Sequence, residues 1–433
     1  MKVKQICLLG LMLILSVFGS AQEKLKFDLD GAKHQAIQFN KTLKNSSIAI
    51  DKARYQLKEA ISAGLPQLSS AMDYSNSLGA KISIKFVEDQ PATEIPIKPS
   101  SSLNLKIGQL LFNGNYYVGI ELAKLGKSLV EKSYEKTEQD ILGQVTNGYY
   151  LDLMSRELLD LMNKNVTNLK EIFKKTDAMV RVGITEKTEL DQLGVQIASL
   201  ENAASTAERQ LELAKNMLRL QMGLTVDQDF EVSGTMSGIL GQVNGVNTAG
   251  SLFDVGMNPD FQLMELQEKL TEKQVKMQRS SYLPTLSGYY LRTEKIIKPD
   301  FDMSPKNMVG LSLSIPLYSG GQKLAKLNQA KLDLETMKNT KALLAEQLQV
   351  QEKQLQFNLK NANEAYLNQV KNLDVARRVY DNLKLKFEHG LISGLDLVMA
   401  DNNYVRAETE YLTSIYQVLG ATVDMDKLYG KLK

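Results

Sequence analysis

The spacing of hydrophobic positions along the chain runs through the same series of periods twice. Residues 31–64 read as helix, rich in Ala, Lys, Gln and Leu, and the pattern stops at Gly64 and Pro66. A second helix opens at Asn258-Pro259-Asp260, where Asn can cap, Pro fits the first turn and Asp faces the positive helix end. It runs to about Tyr282 and stops at Pro284. Beyond each Pro the period falls from 3.6 to 2. Ile82, Ile84 and Phe86 alternate with Lys81, Ser83 and Lys85, and Leu103, Leu105 and Ile107 with Asn104, Lys106 and Gly108. In the second half, Leu311, Leu313, Ile315 and Leu317 alternate with Ser312, Ser314 and Pro316, after a weaker stretch from Leu286 to Leu291. One face is apolar and the other small or charged. Such a face is core in a soluble sandwich and faces lipid in an outer-membrane barrel. The connections, Glu88 to Ser102 and Thr293 to Asn307, are polar and Pro-containing, as exposed loops are.

Each strand pair is followed by a segment without Pro and with few Gly, Asn115 to about Val182 and Gln322 to about His389. A helix of that length would measure on the order of 100 Å at about 1.5 Å per residue. In the second segment a seven-residue spacing joins Leu327, Leu334, Leu348, Leu355, Ala362, Ala376 and Leu383, which is a coiled-coil seam. Lys341, Gln351, Asn358 and Gln369 dilute it, so the helix shares modest seams with two neighbours rather than one tight zipper. Each long helix turns, at Gly183 or Gly390, into a further helix, Lys187 to Met222 and Leu395 to about Leu428; so short a turn makes each pair antiparallel.

The two halves share landmarks at a nearly fixed offset. Asn40 returns as Asn258 and Leu65-Pro66 as Leu283-Pro284, a spacing of 218; Gly183-Ile184 returns as Gly390-Leu391, a spacing of 207. The predicted organisation is therefore a leader at residues 1–21, a first repeat at 22–222, a connecting segment at 223–257 and a second repeat at 258–433. The connecting segment has seven Gly and reads either as a band with short strands, such as Phe230 to Val232, or as a flexible linker.

Composition changes this picture in three ways. Ile6 to Phe18 is an apolar run behind the basic start Lys2 and Lys4, and Gly19-Ser20-Ala21 offers a cut site, so the start predicts an export signal cleaved after Ala21. The alternative, a membrane anchor, needs about 20 apolar residues and the run has thirteen. The only cysteine, Cys7, lies inside that leader. The full chain has 52 basic and 50 acidic residues; removing Lys2 and Lys4 leaves 50 of each, and this balance argues against nucleic acid as a partner. Beyond the leader no run of eighteen apolar residues occurs, so any route into a bilayer is a β-barrel.

No constellation for catalysis stands out. His34 and His389 are the only imidazoles, and neither has a partner at a zinc-ligand spacing. No phosphate loop or nucleophile elbow is present, and the seventeen Met are scattered as core fillers are. The pattern predicts no catalytic residue, no cofactor and no metal.

Leu65-Pro66-Gln67-Leu68-Ser69, Gly108 to Gly114, Ile315 to Gly321 and Gly390 to Asp396, in this order and on a duplicated unit, resemble the TolC family of outer membrane efflux proteins over essentially the whole mature chain. The resemblance implies a mainly α fold with a membrane β-barrel portion: a homotrimer whose protomers each give four strands to one twelve-stranded barrel, continued by an α-helical duct across the periplasm. It implies a passive exit channel in the bacterial outer membrane, serving a tripartite efflux or type I secretion system with a periplasmic adaptor and an inner-membrane transporter. The turns at Gly183, Ile184, Gly390 and Leu391 match the tips that meet the adaptor, Asp396 matches an acid of a periplasmic constriction with Glu189 at the aligned position of the first repeat, and Pro66 and Pro284 mark the helix-to-strand junctions. Met399 stands where a second acid can follow, with Asp401 two residues on. The competing reading is a periplasmic adaptor or scaffolding coiled coil with a soluble β-domain.

Overall fold

The structure is a computed structural model that describes residues 25–85, 92–244, 252–297 and 304–432. The leader with Cys7 and the Ala21 cut site, and Phe86, lie outside the described residues. In order the elements are β1 (Leu25–Phe27), α1 (Leu29–Phe39), α2 (Lys41–Ser62), β2 (Gln67–Ser75), β3 (Lys81–Ile84), β4 (Thr93–Pro96), β5 (Ser100–Asn113), α3 (Gly114–Arg181), α4 (Lys187–Gln221), β6 (Phe230–Val232), α5 (Met236–Asn244), α6 (Pro259–Ser280), β7 (Thr285–Ile297), β8 (Asn307–Ser314), α7 (Gln322–Glu388) and α8 (Gly394–Leu428). The chain forms two compact units, each assembled from separate stretches of sequence.

One unit comprises residues 46–134 and 260–345. Its centre is a four-stranded antiparallel sheet in the order β2-β5-β7-β8, so each half of the chain contributes two adjacent strands. One face presents Leu68, Met72 and Tyr74 from β2, Leu105 and Ile107 from β5, and Val309, Leu311 and Leu313 from β8. These are exposed, Val309 to 80% and Leu68 to 73%. The opposite face is polar: Asn104 Nδ2 donates to Asp73 at 3.0 Å, and Thr293 Oγ1 to Asn104 Oδ1 at 2.8 Å, a ladder across three strands. A sheet with one face in water buries its apolar side; this one leaves its apolar side exposed.

The alternation read from sequence picked the wrong outer strand in the first half. Ile82 and Ile84 lie in β3, which pairs only with β4 in a separate two-stranded sheet. The partner of β5 is Gln67–Ser75, from Gln67 opposite Gly108 to Ser75 opposite Ser100. Ser70 interrupts the apolar side of that strand between Leu68 and Met72, and Ala71 blunts its polar side, so the alternation is weak. β8 ends at Ser314, so Ile315 and Leu317 lie beyond it. Pro316 has no N–H to give to a ladder.

Lys341, a weak point of the α7 seam, forms an ion pair with Glu268 on α6. Glu268, with Glu265 and Glu272 nearby, raises its pKa. The polar interruption is therefore matched by an acid on the neighbouring helix rather than left to solvent.

The other unit comprises residues 1–45, 135–259 and 346–433. Its core is built on α3 and α8: Val145, Tyr149 and Leu153 from α3 and Ile415 and Leu419 from α8 are buried, with Leu218, Phe230 and Met236. The described residues of the connecting segment around β6 pack against this core. β6 pairs in parallel with β1, Arg156 Nη1 donates to Val232 O at 2.7 Å, Tyr149 Oη donates to Ser233 O, and Met236 N donates to Glu157 Oε1 at 2.8 Å. The sequence shows β6 but neither its partner nor α5, because each is too short to set a period.

The first helix predicted over 31–64 is two helices. Asn40 Oδ1 accepts from the N–H groups of Thr42 at 2.8 Å and Leu43 at 3.2 Å, capping α2 where α1 ends. Its Nδ2 donates to Gln221 O, the last residue of α4, at 2.7 Å. Asn258 does the same with Leu428 O at the end of α8, at 2.9 Å. The landmark asparagines of the two repeats thus perform one job twice, tying the start of a repeat to the end of its last helix.

Candidate functional site

The two helical turns lie side by side at one end of the second unit. Each ends its helix with a paired backbone motif: Gly183 N donates to Val180 O at 3.0 Å and Ile184 N to Met179 O at 2.9 Å; Gly390 N donates to Phe387 O at 2.9 Å and Leu391 N to Lys386 O at 2.9 Å. This motif needs a left-handed residue, and Gly183 (φ +74°) and Gly390 (φ +71°) supply it. The residue after the glycine usually folds back on its own helix. Here Ile184 and Leu391 remain exposed, to 73% and 71%, beside Val182 at 71%. An open cavity of about 700 Å³ lies between the turns, with Ile184, Leu391, Glu189 and Asp396 in its wall.

The two acids named from the resemblance meet here in different roles. Glu189 Oε1 accepts from Leu395 N at 3.2 Å and so joins the turns. Asp396 forms a capping box with Ser393, whose Oγ accepts from Asp396 N at 3.1 Å while Asp396 Oδ2 accepts from Ser393 Oγ at 2.8 Å and from Ser393 N at 3.3 Å. Asp396 is nonetheless exposed. Behind the turns, Leu169, Ile172, Leu193, Phe387 and Leu397 form a buried cluster that fixes their position.

The sequence marks Asp401 only as the acid two residues beyond Met399. It is buried to 2% exposure and accepts from the Tyr380 hydroxyl, and burial pushes its carboxyl up to about 6. Only the depth of its side chain distinguishes it from the solvated acids around it in sequence.

The helix-to-strand junctions lie in the first unit. Pro66 and Pro284 immediately precede β2 and β7. The carbonyls the ending helices leave open are taken up by side chains: Gln109 Nε2 donates to Gly64 O at 2.6 Å, Tyr116 Oη to Ile61 O at 2.9 Å, and Lys323 Nζ to Ser281 O.

Among the described residues no group of His, Cys, Asp or Glu could hold a metal ion, and no helix is long and apolar enough to cross a membrane.

A family model described as "Outer membrane efflux protein" matches residues 32–224 and 256–431. The outer membrane protein TolC of Salmonella enteritidis is 21% identical over 445 residues, covering 98% of this chain and 86% of that protein. The outer membrane efflux protein BepC of Brucella suis is 20% identical, covering 93% and 87%. Among solved structures, the Campylobacter jejuni CmeC outer membrane channel superposes with a TM-score of 0.76 at 17% identity, over 94% of this chain and 86% of that one.

Proposed function

Since the chain belongs to the outer membrane efflux protein family, we propose that it is the outer-membrane exit duct of a tripartite export system, working as a homotrimer. The observation that carries this reading is the four-stranded sheet. Its apolar face is exposed, and β2 and β8 at its borders are paired on one side only among the described residues. Unpaired strand edges are not tolerated in hydrocarbon, and four strands cannot close around a lumen. Edge-to-edge pairing of β8 with β2 of the next copy closes a barrel; three copies give twelve strands. The polar ladder of Asp73, Asn104 and Thr293 then lines water and the Leu68 to Leu313 face meets lipid.

In this reading the exposed Ile184 and Leu391 side chains are the contact for a periplasmic adaptor, through which an inner-membrane transporter delivers cargo. Asp396 and Glu189 supply negative charge beside the path at that end. Transport is passive and no bond is made or broken.

Cysteines placed singly along β2 and β8 test the assembly. The expected result is oxidative cross-linking of a β2 cysteine to a β8 cysteine in a ladder ending at trimer; recovery of uncross-linked monomer in the soluble periplasmic fraction would favour the adaptor-like scaffold instead. For the acids, cation-dependent conductance in planar bilayers should fall in Asp396→Ala, and identical traces would reject the constriction.

A further inference from the structure

Between α3 and α8 lies a second cavity, of about 320 Å³, that export through the duct does not require. Its walls hold Glu157 and Asp160 from α3 and Asp401 and Glu408 from α8, against one lysine, Lys164. Four carboxylates facing one ammonium repel each other: burial pushes Glu157 up, and Asp160 and Glu408 add to that. Part of this charge is answered from outside the cavity by Arg156 near Glu157, Lys384 near Asp401 and Arg377 near Tyr404.

A second observation is independent of the acids. Asn165 lines the same cavity, is 2% exposed, and among the described residues neither Oδ1 nor Nδ2 has a hydrogen-bond partner. A buried amide with both ends unmet costs stability unless something in the cavity meets it.

We propose that this cavity is a binding site for an aliphatic polyamine. The four acids do not converge on a point, and no group of them could hold a metal ion. Glu157 and Asp160 are one turn apart on one wall, while Asp401 and Glu408 are two turns, about 10 Å, apart on the other. Between them the wall is apolar, with Leu161, Val405 and Leu412. Carboxylates separated by methylene-sized apolar stretches match a chain of ammonium groups separated by methylenes, and each ammonium gains a charge-assisted hydrogen bond. Tyr404, whose ring stacks on Tyr380 at 5.6 Å, adds an aromatic wall, and Asn165 Oδ1 accepts from a buried N–H.

Equilibrium dialysis of radiolabelled spermidine against the full-length protein in detergent, at low ionic strength, tests the site. The expected result is one saturable site per protomer, weakened at least tenfold in Asp160→Asn/Glu408→Gln. Asp160 is exposed, so the single variant Asp160→Asn keeps the fold and should weaken binding severalfold on its own. Glu189→Gln/Asp396→Asn, at the turns, should bind as wild type. The proposal is overturned if the cavity variants bind spermidine unchanged, if the turn variant abolishes binding, or if Mg²⁺ at equal concentration displaces the label completely, which would mark a site for point cations.

Discussion

The two long helices occupy equivalent places in the duplicated chain, yet apolar positions that α3 buries are exposed on α7, which buries others such as Leu348 and Phe387. At the spacing of 207 that relates the two turns, Tyr150 on α3 corresponds to Phe357 on α7; Tyr150 is 3% exposed and Phe357 is 62%. Val350, Leu367 and Leu385 on α7 are likewise exposed to 68%, 58% and 59%, whereas Leu142, Leu153 and Leu169 on α3 are exposed to 2% or less. Duplication supplied two copies of one element, and divergence gave α3 the larger share of the core and left an exposed apolar face on α7. In the proposed trimer this exposed apolar face is where a neighbouring protomer would pack.

The sharpest way to break that contrast is Phe357→Asp. If the α7 face is where protomers meet, native mass measurement in detergent will show loss of the trimer altogether, with helix content retained. Tyr150→Ala should instead destabilise the protomer itself by about 3 kcal/mol. A trimer that survives Phe357→Asp would mean α7 faces solvent and the difference between the copies is only one of packing.

The glycines that follow the last helix of each repeat offer a graded comparison. Gly223 (φ +72°) and Gly430 (φ +66°) are 207 residues apart and both left-handed. A Cβ on Gly223 would lie 2.3 Å from Phe39 O, deep inside contact distance, whereas one on Gly430 would lie 3.0 Å from Met257 O. Both variants to Ala incur the cost of positive φ, on the order of 1 kcal/mol, but Gly223→Ala must also displace backbone. Thermal unfolding should show Gly223→Ala losing about 3 kcal/mol and Gly430→Ala about half of that. Equal losses would show that φ alone sets the requirement.

These equivalences explain which parts of the fold were legible in sequence. Long helices, the glycine turns and the paired Leu-Pro junctions announce themselves because period and punctuation are local properties. The role of Asn40 and Asn258 was visible only as a recurrence; that each amide reaches a helix end 181 and 170 residues away is a tertiary fact. The outer strand β2 was missed because Ser70 breaks its apolar side, while Ile82 and Ile84, with the stronger alternation, form only a small hairpin. Of the candidate site, the glycine turns were visible as local punctuation, whereas the burial of Asp401 and Asn165 is a tertiary property that no spacing shows.

Asp401 also has no counterpart in the first copy, where Gly194 stands 207 residues earlier. Burial raises its carboxyl from 3.8 to about 6, so the folded state favours the neutral acid. The stability this gives is present below pH 4 and lost as pH rises through about 6; at pH 7 the buried charge costs up to about 3 kcal/mol, at about 1.4 kcal/mol per pH unit. Asp401→Asn keeps an acceptor for Tyr380 and should therefore raise the unfolding temperature at pH 7, by an amount corresponding to about 2 kcal/mol, and remove the decline between pH 4 and 6. An unchanged pH profile would mean that Asp401 is already neutralised by a cation in its cavity.

The smallest expected difference lies at the starts of α4 and α8. Ser393 caps α8 through its hydroxyl, while Glu186, 207 residues earlier, occupies the same position before α4 without a side-chain hydrogen bond. Ser393→Ala removes an acceptor for Asp396 N and the partner of the Asp396 carboxylate, which is worth about 1 kcal/mol. Glu186→Ala removes no such bond and should change unfolding by less than about 0.5 kcal/mol. Replacing Glu186 by Ser tests the asymmetry from the other side. In the first copy Glu189, the residue three positions on, accepts from Leu395 N across the turns. A serine at 186 would compete for that carboxylate, so Glu186→Ser should tighten α4 locally while loosening its hold on the second turn. Hydrogen exchange at Leu395 N would then speed up; slower exchange there would show that one carboxylate can serve both the cap and the bridge, and that the two turns differ only by accident of sequence.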